Sequence, residues 1–404
     1  MPTRSEGLQR LAEFVPFAGR TYATKRNYDD GAGRHASVSR LSPYIRHRLI
    51  TESEVVRAVL QAHSQSEAEK FIQEVCWRTY WKGWLEQRPD VWLSYQGEVA
   101  AQRGNMCRND AAAAEVALAE RGDTGIECFD TWARELIGTG YLHNHARMWF
   151  ASIWIFTLKL PWALGAEFFL RHLLDGDPAS NTLSWRWVAG LHTRGKTYLA
   201  RADNITRYTN GRFQPYRHEL AAFAAPLNAE PPRERTPLRS AGVVSKGQRV
   251  VLLMTEEDLS PETWPLADLN VRGVAMFTPD CNGLYFSPAV GAFKVGAMCD
   301  AGNRAAAYWG QPVLKATSSD ELIAFATHQG ATAVVAPLVS VGFVRPQIDT
   351  WAKACGSAGV PLIQIARQWD NLFWPHATGG FFKFNERIPT TLAKLEIAPF
   401  ERSS

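Results

Sequence analysis

Between His143 and Trp187 the chain reads HNHARMW (143–149), LPWALGAEFFLRHLLDGD (160–177) and PASNTLSWRW (178–187). Polar groups that cores rarely tolerate, Asn144, Arg147, Asp175, Asp177 and Asn181, stand here among tryptophans in an otherwise apolar helical context. Buried, such groups need compensation. A polar, planar cofactor between helices supplies both the hydrogen-bonding partners and the aromatic setting, whereas a plain helical bundle needs neither. The stretch predicts a helical domain built around a cofactor.

Outward from it, residues from about 45 to 220 keep helical apolar spacing, in VVRAVLQAH, AEKFIQEVCWRTYWKGWL, FDTWARELIGTG, ARMWFASIWIFTLKL and GAEFFLRHLLDG. Gly138 and Gly140 read as one helix stop and Gly176 as another. Asp177-Pro178 reads as an N-cap followed by proline in the first turn. Residues 224–247 are rich in proline and charge, without periodicity, and read as a linker. Beyond it come short β-branched runs, VVLLM (250–254), GVAMF (273–277), TAVVAP (332–337) and VPLIQIA (360–366), with helical stretches between. That alternation predicts a parallel sheet with crossover helices. The predicted fold class is therefore multi-domain: an all-α domain over 1–223, a linker over 224–247 and an α/β, Rossmann-like domain over 248–404, each domain with a core of its own. Neither GxGxxG nor a P-loop is present, so the α/β half implies no nucleotide site by itself.

No apolar run reaches the roughly 20 residues of a membrane span, and the N-terminus lacks a secretory core, so the expected location is cytoplasmic, with no membrane partner. The six cysteines, Cys76, Cys107, Cys128, Cys281, Cys299 and Cys355, show no metal spacing, and no metal site is expected. The net charge is +4, but residues 1–240 carry 31 basic against 26 acidic groups and residues 241–404 carry 13 against 14. Within the first part, Arg186, Arg194, Lys196, Arg201, Arg207, Arg212 and Arg217 stand against Asp203 alone. Such a patch suits a phosphate backbone, and it suits a plain solvated surface as well.

On a helix Glu74, Trp77 and Arg78 share one face, presenting an acid, a stacking surface and a cation together. Asn144, Arg147, Met148 and Ala151 share another, where the small Ala151 permits close approach of a ring. Trp185 lies one turn after Asn181, while Trp187 is rotated by about 200° from Trp185. Taken singly, Trp77, Trp162 and Trp185 read first as core packing, Arg147 with Asp175 equally as a structural ion pair, and Asp177 as a cap. Their joint occurrence at these intervals is what packing leaves unexplained.

The chain resembles the flavin-binding domain of the photolyase and cryptochrome family, collinearly from about Tyr22 to Trp187. The resemblance is carried by YATKRNYDD (22–30), SVSRLSPYIRHRLIT (37–51), EVCWRTY (74–80), DTGIECFDTWARELIGTGYLHNHARM (123–148) and LLDGDPASNTLSWRW (173–187). It implies FAD as cofactor, with Tyr22, Ser39, Arg40, Leu41 and Ser42 at its phosphates. Arg78, Asn144, Arg147, Asp175 and Asp177 would surround the isoalloxazine and adenosine, and Asn181 would face flavin N5. In this family asparagine there accompanies DNA repair, whereas plant cryptochromes carry aspartate and animal ones cysteine. Glu74, Trp77, Asn144, Met148 and Trp187 match the pocket for a flipped-out cyclobutane pyrimidine dimer. His143 and His145 flank that pocket without matching the histidines of (6-4) photolyases.

The resemblance thus implies an enzyme, a deoxyribodipyrimidine photolyase (a carbon–carbon lyase) driven by blue light. Its partner would be UV-damaged DNA, held through Arg194, Lys196 and the basic region around them, and the protein is expected to be a monomer. The alternative is a cryptochrome-like photoreceptor with the same flavin and a signalling output. Two departures stand out. Trp185 and Trp162 match the inner two tryptophans of the family's electron-transfer chain, but the outer position falls near Asn109, which leaves Trp154, Trp149 or Trp132 as other exits. Ordinary members also begin with an α/β antenna domain, whereas here the α/β half follows the flavin domain. WDNLFWPHATGGFFKFNERIP (369–389) loosely resembles the end of that antenna domain. No residue of this half is matched to an antenna chromophore, and it reads equally as purely structural.

Overall fold

Asp177 accepts a hydrogen bond from the Ser180 backbone N–H at 2.7 Å, with Pro178 behind it, so a helix begins where the sequence places it. In the computed structural model, residues 1–193, 195–227, 234–266, 268–277 and 286–397 are described. Arg194 and Cys281 lie outside the described residues, as does part of the 224–247 linker.

The helical part comprises α1 (Arg4–Phe14), α2 (Arg20–Lys25), α3 (Ser42–Arg46), α4 (Glu52–Ala62), α5 (Gln65–Glu86), α6 (Asp90–Met106), α7 (Asp110–Arg121), α8 (Glu127–Thr139), α9 (Asn144–Ser152), α10 (Trp162–His172), α11 (Pro178–Val188) and α12 (Ala202–Tyr208). Capping boxes at Thr51/Glu54 and Ser64/Glu67 start α4 and α5. Gly140, at φ 66°, ends α8 in the left-handed conformation, while Gly138 lies inside that helix. Gly176 ends nothing: α10 stops at His172 with an extended Leu173, and a turn at Leu174 and Asp175 leads to the next cap. A π-helical turn, Ile153–Thr157, extends α9.

The second part holds β1 (Arg249–Thr255), β2 (Asn270–Phe277), β3 (Val313–Ala316), β4 (Ala333–Pro337) and β5 (Leu362–Ile365), all parallel in the order β3-β2-β1-β4-β5. The four-residue edge strand VLKA is too short to stand out in the sequence. Its helices are α13 (Pro288–Trp309), α14 (Ser319–His328), α15 (Arg345–Ser357), α16 (Gln368–Phe373), α17 (Phe381–Asn385) and α18 (Ile388–Lys394).

The expectation of a separate core for each part is corrected. Val250, Leu252, Met254, Val274 and Val335, on one sheet face, join α13 and the helical part in a continuous apolar cluster. Val251, Leu253, Ala275 and Val334 face the other way, onto α14 and α15. A parallel sheet must be covered on both faces, and here part of the cover comes from the first half of the chain. The C-terminal helices close the union along α5. Trp369 donates from Nε1 to Thr79 Oγ1 at 2.9 Å, and Gln87 Nε2 reaches the Trp374 and Ala377 carbonyls at 3.2 Å. Gly83 makes this contact possible, because a Cβ there would stand 2.9 Å from Trp374 Cα. No helix among the described residues is long and apolar enough to cross a membrane.

Candidate functional site

A cavity of about 500 Å³ opens between α2, α3, α5, α9 and α11. Tyr22, Ser39, Arg40, Leu41 and Ser42 line one end, Arg78, Arg147, Asp175, Asp177 and Asn181 line the interior, and Asn144, expected buried, borders the cavity while exposed at the start of α9. Glu74, Trp77, Met148, Trp185 and Trp187 complete the wall. The sequence-predicted residues of both sets therefore meet in one chamber, and Ala151 lies in its lining as the helical arithmetic requires. Two residues are placed elsewhere, and a third is not described. Trp162 is buried against Tyr95 (centroids 5.6 Å) away from the lining, Lys196 is exposed on a loop, and Arg194 is among the residues not described.

The interior carries dense charge. Arg147 bonds both oxygens of Asp175 at 3.0 and 3.1 Å and the Leu142 carbonyl at 2.8 Å. Burial alone would raise the Asp175 carboxyl, but Arg147, Arg78 and Ser42 more than offset it and hold it below its usual range. Asp177 is likewise raised by burial and, on balance, lowered by Lys82, Arg78 and Arg46, whose nitrogens stand 3.7 to 3.9 Å from Oδ2. Those separations are ion pairs beyond hydrogen-bond reach, and Asp177 Oδ2, Arg78 Nη1, Ser180 Oγ and Trp185 Nε1 are buried without a hydrogen-bond partner. Natural interiors rarely leave such groups unmatched. Asn181 donates from Nδ2 to the Ala166 carbonyl at 2.8 Å, which fixes the carboxamide.

Arg40, between Ser39 and Leu41, has φ 52°, a left-handed conformation that non-glycine residues adopt sparingly and chiefly where the surroundings impose it. Its guanidinium lies 5.4 Å from the centre of the Tyr141 ring, and Arg147 lies 5.8 Å from the same ring. Glu74 is ion-paired to Arg26, a lining residue that the sequence reading passed over. Nothing in the spacing links Arg26 to Glu74, since they are 48 residues apart. Tyr141, Trp81 and Phe169 are further lining residues of this kind.

Trp185 and Trp187 differ as their rotation predicts. Trp185 is buried among Phe150, Trp154 and Phe169, with Trp154 perpendicular at 6.3 Å; Trp187 is half-buried and stacked on Tyr198 at 5.6 Å. Gly165 lets Trp185 and Trp154 come together, because a Cβ there would overlap both indoles. His143 and His145 turn away from the chamber, bonding the Arg26 and Asn27 carbonyls at 3.0 Å. Burial lowers His143 to about 4 and lowers His145 as well, so both are neutral at pH 7. Asp29, His35 and Glu135 form a buried cluster in which Arg212 and Trp132 hold Asp29 and His35 bonds Glu135 at 2.8 Å, while His35 Nδ1 and Glu135 Oε2 lack hydrogen-bond partners.

The basic region is thinner than its sequence suggests. Arg212 is spent on Asp29, Arg186 is half-buried against Trp162, and Arg201 pairs with Asp203. Lys196, Arg207 and Arg217 remain exposed.

Residues 71–218 match the family model for the FAD-binding domain of DNA photolyase. The chain is 33% identical over 222 residues to the deoxyribodipyrimidine photo-lyase of Streptomyces griseus, covering 50% of this chain and 46% of that one. It is 28% identical over 225 residues to the enzyme of the same name from Alkalihalophilus pseudofirmus, covering 55% and 45%. The chain thus spans about half the length of the relatives it matches. Among solved structures, a bacterial class III photolyase from Agrobacterium tumefaciens overlaps 51% of this chain and 44% of its own, at 24% identity and a TM-score of 0.40. The cavity lies among the elements that the family model covers and those just before them, so the chamber belongs to the part of this chain that is similar to the FAD-binding domain of DNA photolyase.

Proposed function

We propose that this protein, with FAD in the cavity, splits cyclobutane pyrimidine dimers in UV-damaged DNA under blue light. The lining fits the cofactor. Hydroxyls at Ser39 and Ser42, the main chain around Leu41 and the cationic Arg40 suit its phosphates, and the unmatched buried groups Arg78 Nη1, Asp177 Oδ2 and Ser180 Oγ suit a polar ring system. Tyr22 would close the phosphate end, while Asn144, Arg147, Asp175 and Asn181 would bound the ring and adenosine. Bound there in its reduced form, FAD supplies the electron donor that light excites.

The protein's own groups then have distinct tasks. Glu74, held by Arg26, presents a fixed acceptor to the edge of a pyrimidine, while Trp77 and Trp187 offer apolar faces for stacking. Asn144 and Met148 shape the floor between them. Asn181 carries no ionisable proton and, pinned to Ala166, offers none to the ring beside it. Trp185 is the indole in the wall from which electrons could reach the chamber, with Trp154 against it and Trp162 as the partner implied by the family pattern. Lys196, Arg207 and Arg217 would meet phosphates outside. The net reaction opens two carbon–carbon bonds without net oxidation or reduction, so no reductant is consumed in a turnover.

The observation that carries this reading is that a single chamber holds both residue sets, the polar one and the aromatic-acidic one. Illuminating the reduced protein with an oligonucleotide containing one thymine dimer should restore both thymines. Restoration no greater than in the dark, with the flavin fully reduced, would exclude repair and leave a photoreceptor function.

A further inference from the structure

Trp77 is held by the C-terminal half of the chain. Phe381, the first residue of α17, lies flat on its indole with ring centroids 3.5 Å apart and planes 9° from parallel. Phe381 is itself buried, between Tyr80 (5.4 Å, edge-on) and Phe384 (5.9 Å). Tyr80 donates its hydroxyl to the Gly379 carbonyl at 2.8 Å, which ties the approach to α17 onto α5 just beyond Trp77. Trp77 remains half-buried and lines the chamber.

We propose that Phe381 is a positioning residue for the substrate: standing outside the lining, it fixes the plane of Trp77, so that the C-terminal half of the chain braces a pocket whose walls lie in the flavin-binding half. The inference rests on the reading of that pocket as the seat of an extruded pyrimidine dimer. A stacking platform binds well only if its plane is set in advance, because a ring that must be immobilised on binding spends part of the interaction on its own ordering. A parallel aromatic neighbour at 3.5 Å, with Tyr80 and Trp81 at 5.6 and 5.3 Å, does that for Trp77 while the indole still lines the chamber. Fixing the platform strengthens binding of ground state and transition state alike, so its loss shows in KM and not in kcat.

The test compares Phe381→Leu, Phe381→Tyr and Phe384→Leu with the unaltered protein, full-length and carrying FAD, on an oligonucleotide with one thymine dimer. Phe384 is buried beside Phe373 and Tyr80 in the same helix, so Phe384→Leu gives the effect of loosening α17 alone. Phe381→Leu should raise KM about fivefold, within the range of an aromatic pair, with kcat and flavin content unchanged. Phe381→Tyr should restore the original KM. Equal KM values for Phe381→Leu and Phe384→Leu, or a parallel loss of kcat and flavin in Phe381→Leu, would overturn the inference and reduce Phe381 to a packing residue. Failure of the unaltered protein to repair the oligonucleotide would instead remove the reading of the pocket, and this inference with it.

Discussion

Two regions of this molecule are lined by the same residue types and do opposite things with them. The chamber in the helical half is walled by arginines and aspartates and leaves about 500 Å³ open, with buried polar atoms unmatched. The crevice at the carboxyl ends of β1 and β4, where the strand order reverses, is the usual ligand position of a doubly wound sheet. Only about 10 Å³ is left there, roughly one water at most. Arg46, His47 and Arg48 from the end of α3, with Lys82 from α5, fill it. Arg46 meets Glu257 at 2.7 Å, Lys82 meets the same carboxylate at 3.1 Å, and Arg48 meets Asp370 at 2.6 Å. His47 Nδ1 bonds the Glu256 carbonyl at 2.7 Å. In the chamber the charged groups border open space and several lack hydrogen-bond partners, whereas in the crevice direct ion pairs fill the space, with Arg46 Nη1 alone of these cations' nitrogens left unpartnered among the described residues. On this basis the crevice, among the described residues, serves as the dock between the two halves.

The comparison would break most visibly at Glu257. Burial would raise its carboxyl, but Arg46 and Lys82 dominate and hold it far below the usual range. Glu257→Ala leaves those two cations buried without their closest partner and should cost about 3–5 kcal/mol. Chemical denaturation would read this as a lower midpoint at unchanged slope. A change below about 1 kcal/mol would mean that the crevice charges do not hold the halves together.

Acid should strain both regions as well, to a comparable extent. His143 beside the chamber and His47 in the crevice are each lowered to about 4, chiefly by burial, against an ordinary value of 6.5. Their neutral forms stabilise the fold above pH 6.5, and that contribution is lost as pH falls from 6.5 through 4, at up to about 1.4 kcal/mol per pH unit for each histidine. Unfolding free energies measured across this window should decline, and His47→Gln or His143→Gln should each flatten the decline. Equal slopes in the original and both variants would mean that neither histidine is the group being charged.

The contrast also explains what the sequence disclosed. Helix faces are local, so Glu74, Trp77 and Arg78 or Asn144, Arg147 and Met148 could be grouped by spacing, and the chamber gathers them. The Asp177 cap was legible for the same reason, and four of the five strands announced themselves as β-branched runs. Everything that depends on distant segments meeting was silent. Arg26 against Glu74, Arg46 against Glu257 and Phe381 against Trp77 are separated by 48, 211 and 304 residues and follow no periodicity. The basic run from Arg186 to Arg217 misled in the converse way, since composition counts charges and only the fold shows that Arg212 is consumed by Asp29.

The smallest effect on stability should come from the chamber wall itself. Methionine to alanine in a closed core costs about 2–5 kcal/mol, because the deleted atoms leave a hole that the surroundings cannot fill. Met148 is half-buried on α9 and borders space that is already open, so truncation enlarges an existing cavity and removes few contacts. Met148→Ala should therefore move the unfolding free energy by less than about 1 kcal/mol, near the scale of an ordinary surface change. Its consequence belongs to the ligand: with flavin content unchanged, KM for the dimer-containing oligonucleotide should rise several-fold, as expected when an apolar wall of a pocket is cut back. A destabilisation of 2–5 kcal/mol would show that the protein fills this wall as a core, and the distinction between an open chamber and a closed joint would fail at its most sensitive point.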